Sequence, residues 1–168
     1  MTSPRGNGPA SRLPNLGRRG EGWVAGQLLL MAGVFLSALA GRSWADAYSV
    51  AAHATGAALL AVGVVLLAWA GLHLGASLTP FPAPRRNAIL RASGPYALVR
   101  HPMYGSGILI SLGWSIVFAT VIGGALTTVL ALFLDLKARR EETWLVERLD
   151  GYDAYRKRTT HKLVPFIY

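Results

Sequence analysis

The sequence contains no cysteine. That excludes a disulfide framework, a thiol nucleophile and a cysteine metal site, and selects no redox compartment. Histidines are few, and His53, His73, His101 and His161 show no paired ligand spacing, so no metal is expected. Acids are scarce too, eight against seventeen lysines and arginines in 168 residues. The largest absence is charge itself, which is missing altogether from Trp23 to Gly41, from Ala47 to Pro84 and from Met103 to Leu134.

With 52% hydrophobic and 15% charged residues, the chain does not have the composition of an ordinary soluble domain. Crossing a bilayer takes about 20 apolar residues in a helix. The first stretch meets this. The second turns proline-rich after Thr79, which leaves Val50 to Leu74 as its spanning part. As one helix the third would be about 48 Å long, too long for one crossing without severe tilt. Folding back at Gly123-Gly124 makes it a helical hairpin.

Charge supports that hairpin. Four basic residues precede Trp23, four lie between Arg85 and Arg100, and eight follow Leu136, with Arg42 alone elsewhere. Four spans put all but Arg42 on the cytoplasmic side, whereas three would export the basic C-terminal segment. The expected fold is therefore all-α: a multi-pass membrane protein of about four transmembrane helices with a cytoplasmic interfacial helix. Both termini are expected in the cytoplasm of a bacterial-type plasma membrane. Residues 1–20 read as a disordered basic tail and 21–168 as a single membrane domain. The net charge of +9 is split among juxtamembrane segments, so it argues for anionic lipid rather than nucleic acid. Ala38-Leu39-Ala40 resembles a signal-peptidase site, but the apolar stretch before it exceeds a signal core of roughly 7–15 residues, so the span is retained.

The chemistry concentrates in Gly94-Pro95-Tyr96-Ala97-Leu98-Val99-Arg100-His101-Pro102-Met103-Tyr104. Pro80, Pro82 and Pro84 forbid a helix before it, so the chain leaves the membrane there. Ser93-Gly94-Pro95-Tyr96 is a turn sequence. Pro102 biases His101 away from helical geometry and suits the first position of the next helix, which makes His101 the cap-side residue at a cytoplasmic mouth. Free amides at a helix start attract carboxylates or phosphates. A plain interfacial belt of Arg100, Tyr96 and Tyr104 explains the same composition. Past the last span, Glu141-Glu142 either pairs with Lys137 or Arg139 in solvent or faces His101 across a shared site. Trp144, Leu145, Arg148, Leu149, Tyr152, Tyr155 and Arg156 form a helical stripe, which Asp150-Gly151 is placed to interrupt.

Taken in order, Gly94-Pro95-Tyr96, Arg100-His101-Pro102-Met103-Tyr104, Glu141-Glu142, Tyr152-x-x-Tyr155-Arg156-Lys157-Arg158 and Leu163-Val164-Pro165-Phe166-Ile167 resemble the isoprenylcysteine carboxyl methyltransferases. The ordered match runs from Ser93 to Ile167. It departs at Gly105-Ser106-Gly107 and at Thr159-Thr160-His161-Lys162. The resemblance implies an integral-membrane methyltransferase that uses S-adenosylmethionine and takes a lipophilic acceptor from the bilayer. The absence of a glycine-rich dinucleotide fingerprint fits that class. It implies cofactor contacts from Val99, His101, Pro102, Tyr104, Gly105, Glu141, Glu142, Tyr152 and Tyr155, and catalytic roles for Arg100, Glu142 and Arg156.

On this view a Glu141 or Glu142 carboxylate holds the cofactor ammonium, and Tyr104 or Tyr152 covers the adenine. Arg100 or Arg156 orients an acceptor carboxylate by a planar two-point contact. A carboxylate acceptor is already ionised at neutral pH and needs no general base. A phospholipid amine would first have to lose a proton, with Glu142 as a candidate base. A sterol-reductase-like NADPH enzyme, which shares an Arg-His-Pro near the membrane face, and a non-enzymatic scaffold are the alternatives.

Overall fold

The computed structural model describes residues 13–40, 50–84 and 88–164. These are all helix and loop: α1 (Glu21–Leu36), α2 (Val50–Leu74), a single turn α3 (Pro95–Leu98), α4 (Pro102–Val117), α5 (Val121–Arg148) and α6 (Tyr152–Arg158), with 3-10 turns after α1 and α2. Three helices (α1 with its 3-10 turn, α2 and α5) are long and apolar enough to cross a membrane; α4, at 16 residues, is shorter. The chain is a polytopic membrane protein. Its exposed apolar side chains, such as Leu29, Val65, Leu72 and Leu132, are suited to lipid.

Small residues set the packing. Association in lipid depends on close van der Waals contact, which glycine permits. A Cβ at Gly63 would sit 3.1 Å from the Ser106 carbonyl, and one at Gly113 would sit 2.6 Å from the Leu60 amide, so α2 and α4 touch backbone to backbone. Gly26 accepts the Phe133 ring where α1 crosses α5, and Trp23 meets the same ring at 5.3 Å. These contacts run antiparallel. The start of α1, the end of α2, the start of α4 and the end of α5 therefore lie at one end of the bundle.

The hairpin closes at Phe118–Thr120 rather than at Gly123-Gly124. Ala119 takes a positive φ of 50°, and the Thr120 side chain caps α5 by accepting from the Gly123 amide at 3.2 Å. A cap and a short strained turn suffice to reverse the chain. Gly123 instead lies in the first turn of α5, where a Cβ would meet the Ser115 and Ser37 hydroxyls at 2.7 Å. The hairpin is unequal: α4 is about 24 Å long and α5 about 42 Å. Consequently α5 runs past its last apolar turn, and Glu141, Glu142 and Trp144 stand on the helix that spans. The aromatic stripe is broken at Gly151, with φ 80°, after which α6 begins.

Residues 14–19 are exposed but bonded to the bundle. The Pro14 carbonyl accepts from Trp23 Nε1 at 3.0 Å, Asn15 bonds Arg140, and the Arg19 carbonyl accepts from the Ala83 amide at 3.3 Å. Residues 1–12 lie outside the described residues, as do Arg42, Arg85 and Arg86.

Candidate active site

The site is assembled by the loop after α2. Gly94 adopts φ 58°, and a Cβ there would collide with the His73 ring, so glycine is required on both backbone and steric grounds. Pro95 opens the single turn α3, and this buries Tyr96, whose carbonyl accepts the Tyr155 hydroxyl at 2.6 Å. The chain then extends. The Arg100 amide donates to the His161 carbonyl at 3.0 Å and the His101 amide to the Lys162 carbonyl at 2.9 Å. His101 is the N-cap of α4 and Pro102 its first residue, as the sequence implied. The His101 carbonyl takes the Tyr104 and Gly105 amides at 3.1 and 3.2 Å.

This cap aims the His101 ring at the end of α5. Its Nε2 lies 3.1 Å from Glu142 Oε1 and its Nδ1 lies 3.8 Å from Glu141 Oε2. A carboxylate only accepts, so Nε2 carries the proton in that contact. Arg100 Nε donates to the same Glu142 oxygen at 2.7 Å, and its Nη1 donates to the Thr159 and Thr160 carbonyls at 2.8 and 2.6 Å. Tyr104 stacks parallel to His101 at 5.3 Å and donates its hydroxyl to Glu141 Oε2 at 2.6 Å.

A cleft open to the outside lies over this network. Its polar wall is made by Arg100, His101, Tyr104, Glu141, Tyr152 and Tyr155. Much of the remaining lining is apolar, including Leu74, Ile89, Leu90, Leu145 and Leu149. Burial holds Tyr155 up at about 12, and burial joined by the charges of Glu142 and Glu141 raises Tyr152 further, so both remain neutral hydroxyl donors. The Tyr152 hydroxyl is buried without a partner among the described residues.

The structure thus brings Arg100, His101, Pro102, Tyr104, Glu141, Tyr152 and Tyr155 to one cleft. Four other residues named from the sequence lie elsewhere. Glu142 is buried behind the wall, between Arg100 and His101. Val99 is buried beneath it, and Gly105 faces the Leu163 carbonyl, which a Cβ would strike. Arg156 is exposed on α6 and paired with Asp153 at 3.0 Å. Lys137, which the spacing offered with Arg139 as one alternative for a solvated partner of the acids, is 1% exposed, with Nζ donating to Gln27 Oε1 at 2.6 Å and the Pro80 carbonyl at 3.3 Å.

Residues 51–150, well over half of the chain, match the family model of phospholipid methyltransferases. The chain belongs to that family, a group of integral-membrane methyltransferases related to the isoprenylcysteine carboxyl methyltransferases. No curated protein matches it. Membership displaces the reductase and scaffold alternatives, and it implies S-adenosylmethionine as methyl donor. The cleft fits such a group: an acid for an ammonium, aromatic rings for a base, and a buried unpartnered hydroxyl that needs an acceptor.

Proposed function

We propose that the chain transfers a methyl group from S-adenosylmethionine to the amine headgroup of a lipid that enters the cleft from the bilayer. The observation that carries this is the cleft itself, whose lining joins an acid and neutral phenols to a set of apolar side chains. Bound S-adenosylmethionine supplies an electrophilic methyl group on a sulfonium. Glu141, in the polar wall and oriented by the Tyr104 hydroxyl, binds the donor's ammonium. His101 and Tyr104 present stacked rings to the adenine side. Glu142 holds Arg100 and His101 in place.

The amine reading is preferred because of how the cations are used. Arg100 is occupied by Glu142 and two carbonyls, and Arg156 points away from the cleft to Asp153. Neither is placed for a two-point contact with an acceptor carboxylate. An amine attacks only as the free base, and desolvation against the apolar lining lowers its pKa, so its proton leaves through the open mouth to water. Attack would form the new N–C bond as the S–C bond of the donor breaks, leaving neutral S-adenosylhomocysteine and the positive charge on nitrogen, with the cleft holding donor and acceptor in line. The charge pattern further supports a cytoplasmic location for the cleft end.

A carboxylate acceptor of the isoprenylcysteine type is the second reading, favoured by the ordered motifs from Ser93 to Ile167 and by Arg91 in the cleft lining. The decisive experiment offers radiolabelled S-adenosylmethionine to the purified protein in vesicles. One set contains an amine-headgroup phospholipid, the other a prenylated cysteine carboxylate. Label in the phospholipid is expected. Label only in a base-labile ester would overturn the amine reading, and label in neither would sink both.

A further inference from the structure

Lys137 stands one helical turn before Glu141 on α5 and is almost completely buried, although lysine is among the residues least often found so. Among the described residues no carboxylate lies within ion-pair reach of its Nζ. Its partners are neutral: the Gln27 side-chain oxygen at 2.6 Å, the Pro80 carbonyl at 3.3 Å, and the face of the Tyr104 ring, with Nζ 5.1 Å from the centroid. Glu141, one turn further on, attracts its charge from beyond ion-pair distance, and a buried ammonium with no acid in contact is costly to the fold. A charge kept at a membrane edge at such cost marks a functional position.

Each partner belongs to a different part of the molecule. Gln27 is on α1, Pro80 is in the loop whose Thr79 and Pro84 line the cleft, and Tyr104 is the side chain that holds Glu141. We propose that Lys137 is a positioning residue for the donor cleft, fixing the Tyr104 ring from beneath so that its hydroxyl holds Glu141 toward the ligand. A cation over an aromatic face is attracted by the ring quadrupole, so the contact fixes the ring. The same charge withdraws electron density from the phenol and strengthens its O–H as a donor to the Glu141 carboxylate. Lys137 touches no ligand; it acts through Tyr104. This rests on the reading that the cleft binds S-adenosylmethionine.

The test is a double-mutant cycle on the full chain in detergent, titrated with S-adenosylhomocysteine by calorimetry. Lys137→Met is expected to weaken binding about tenfold in the native background, but less than about twofold when Tyr104→Phe has already removed the hydroxyl. Lys137→Arg, which keeps the cation, is expected to stay within about threefold of the native protein. A residue that merely props the fold would weaken both backgrounds equally. Equal losses, or native affinity for Lys137→Met, would overturn the proposal while leaving the donor site standing. Should Lys137→Met fail to fold, Lys137→Gln removes the charge but keeps a donor for Gln27, and the same cycle decides. If the native protein itself does not bind S-adenosylhomocysteine, the donor site and this role for Lys137 fall together.

Discussion

The two ends of this bundle are both polar for a membrane protein, yet they use polarity differently. At the cleft end, side chains bond across elements: Arg100 to α5 and to the segment after α6, Tyr104 to Glu141, Lys137 to α1 and the loop after α2, and Lys162 to Asp135 at 2.6 Å. At the far end, buried hydroxyls bond backward along their own helices, Ser115 to the Ser111 carbonyl and Thr127 to the Gly123 carbonyl, both at 2.8 Å. Glycines there bring α2 and α4 into contact. One end is held by directed charge and the other by small size. The comparison separates chemistry from scaffold without reference to sequence relatives.

The largest effect is expected where two buried partners share one acid. Glu142→Ala strands both Arg100 and His101, and removing one member of a buried pair costs roughly 3–5 kcal/mol. Denaturant unfolding in detergent should show that loss, together with loss of S-adenosylhomocysteine binding. If Glu142→Ala unfolds like the native protein, the cleft end is not held by its charges and the contrast between the ends fails.

At the scaffold end Gly113→Ala places a methyl group against the Leu60 backbone, which cannot yield as a side chain does. Overpacking of this kind costs about 1–3 kcal/mol. The folded fraction should bind S-adenosylhomocysteine with native affinity, because Gly113 lies more than two helical turns from Pro102. A tenfold weaker affinity would show that the ends are coupled.

Much of this architecture is legible in the residues, and the exceptions have physical causes. The α2 bounds follow from where charge and proline begin, and the His101 cap follows from the proline after it. The hairpin turn was less visible, because two glycines look like a break when read alone. In the fold Gly123 serves packing and Gly124 faces open space, while a threonine cap starts the helix. Lys137 did leave a signal: Thr127, Leu130, Leu134 and Lys137 recur at intervals of three and four on the buried face of α5. An i, i+4 relation to Glu141 suggested a surface pair instead. Which of two adjacent acids faces the cleft depends on helix phase and on Tyr104, and no short-range pattern carries that.

Tyr152→Phe sharpens the comparison by its opposite signs. Removing a buried hydroxyl with no partner should leave the ligand-free protein as stable as before, or more stable by about 1 kcal/mol. Affinity for S-adenosylhomocysteine should nonetheless fall, by roughly tenfold if the ligand accepts that hydrogen bond. Thermal shift with and without ligand measures both quantities. Lower stability with unchanged affinity would make Tyr152 a packing residue and move α6 into the scaffold.

The smallest effect tests the far end's hydroxyls. Ser115 Oγ lies 3.3 Å from Thr127 Oγ1, which looks like a hydrogen bond between α4 and α5. A hydroxyl has one proton, however, and both protons are already given to carbonyls of their own helices. The contact between the helices is therefore two oxygens side by side. Interhelical hydrogen bonds in membranes average about 0.6 kcal/mol even when a proton is present. Ser115→Ala should then change unfolding stability by less than about 0.5 kcal/mol and leave methyl transfer untouched. A loss several times larger would mean that one hydroxyl turns across the interface, and that the far end, too, is held by directed bonds.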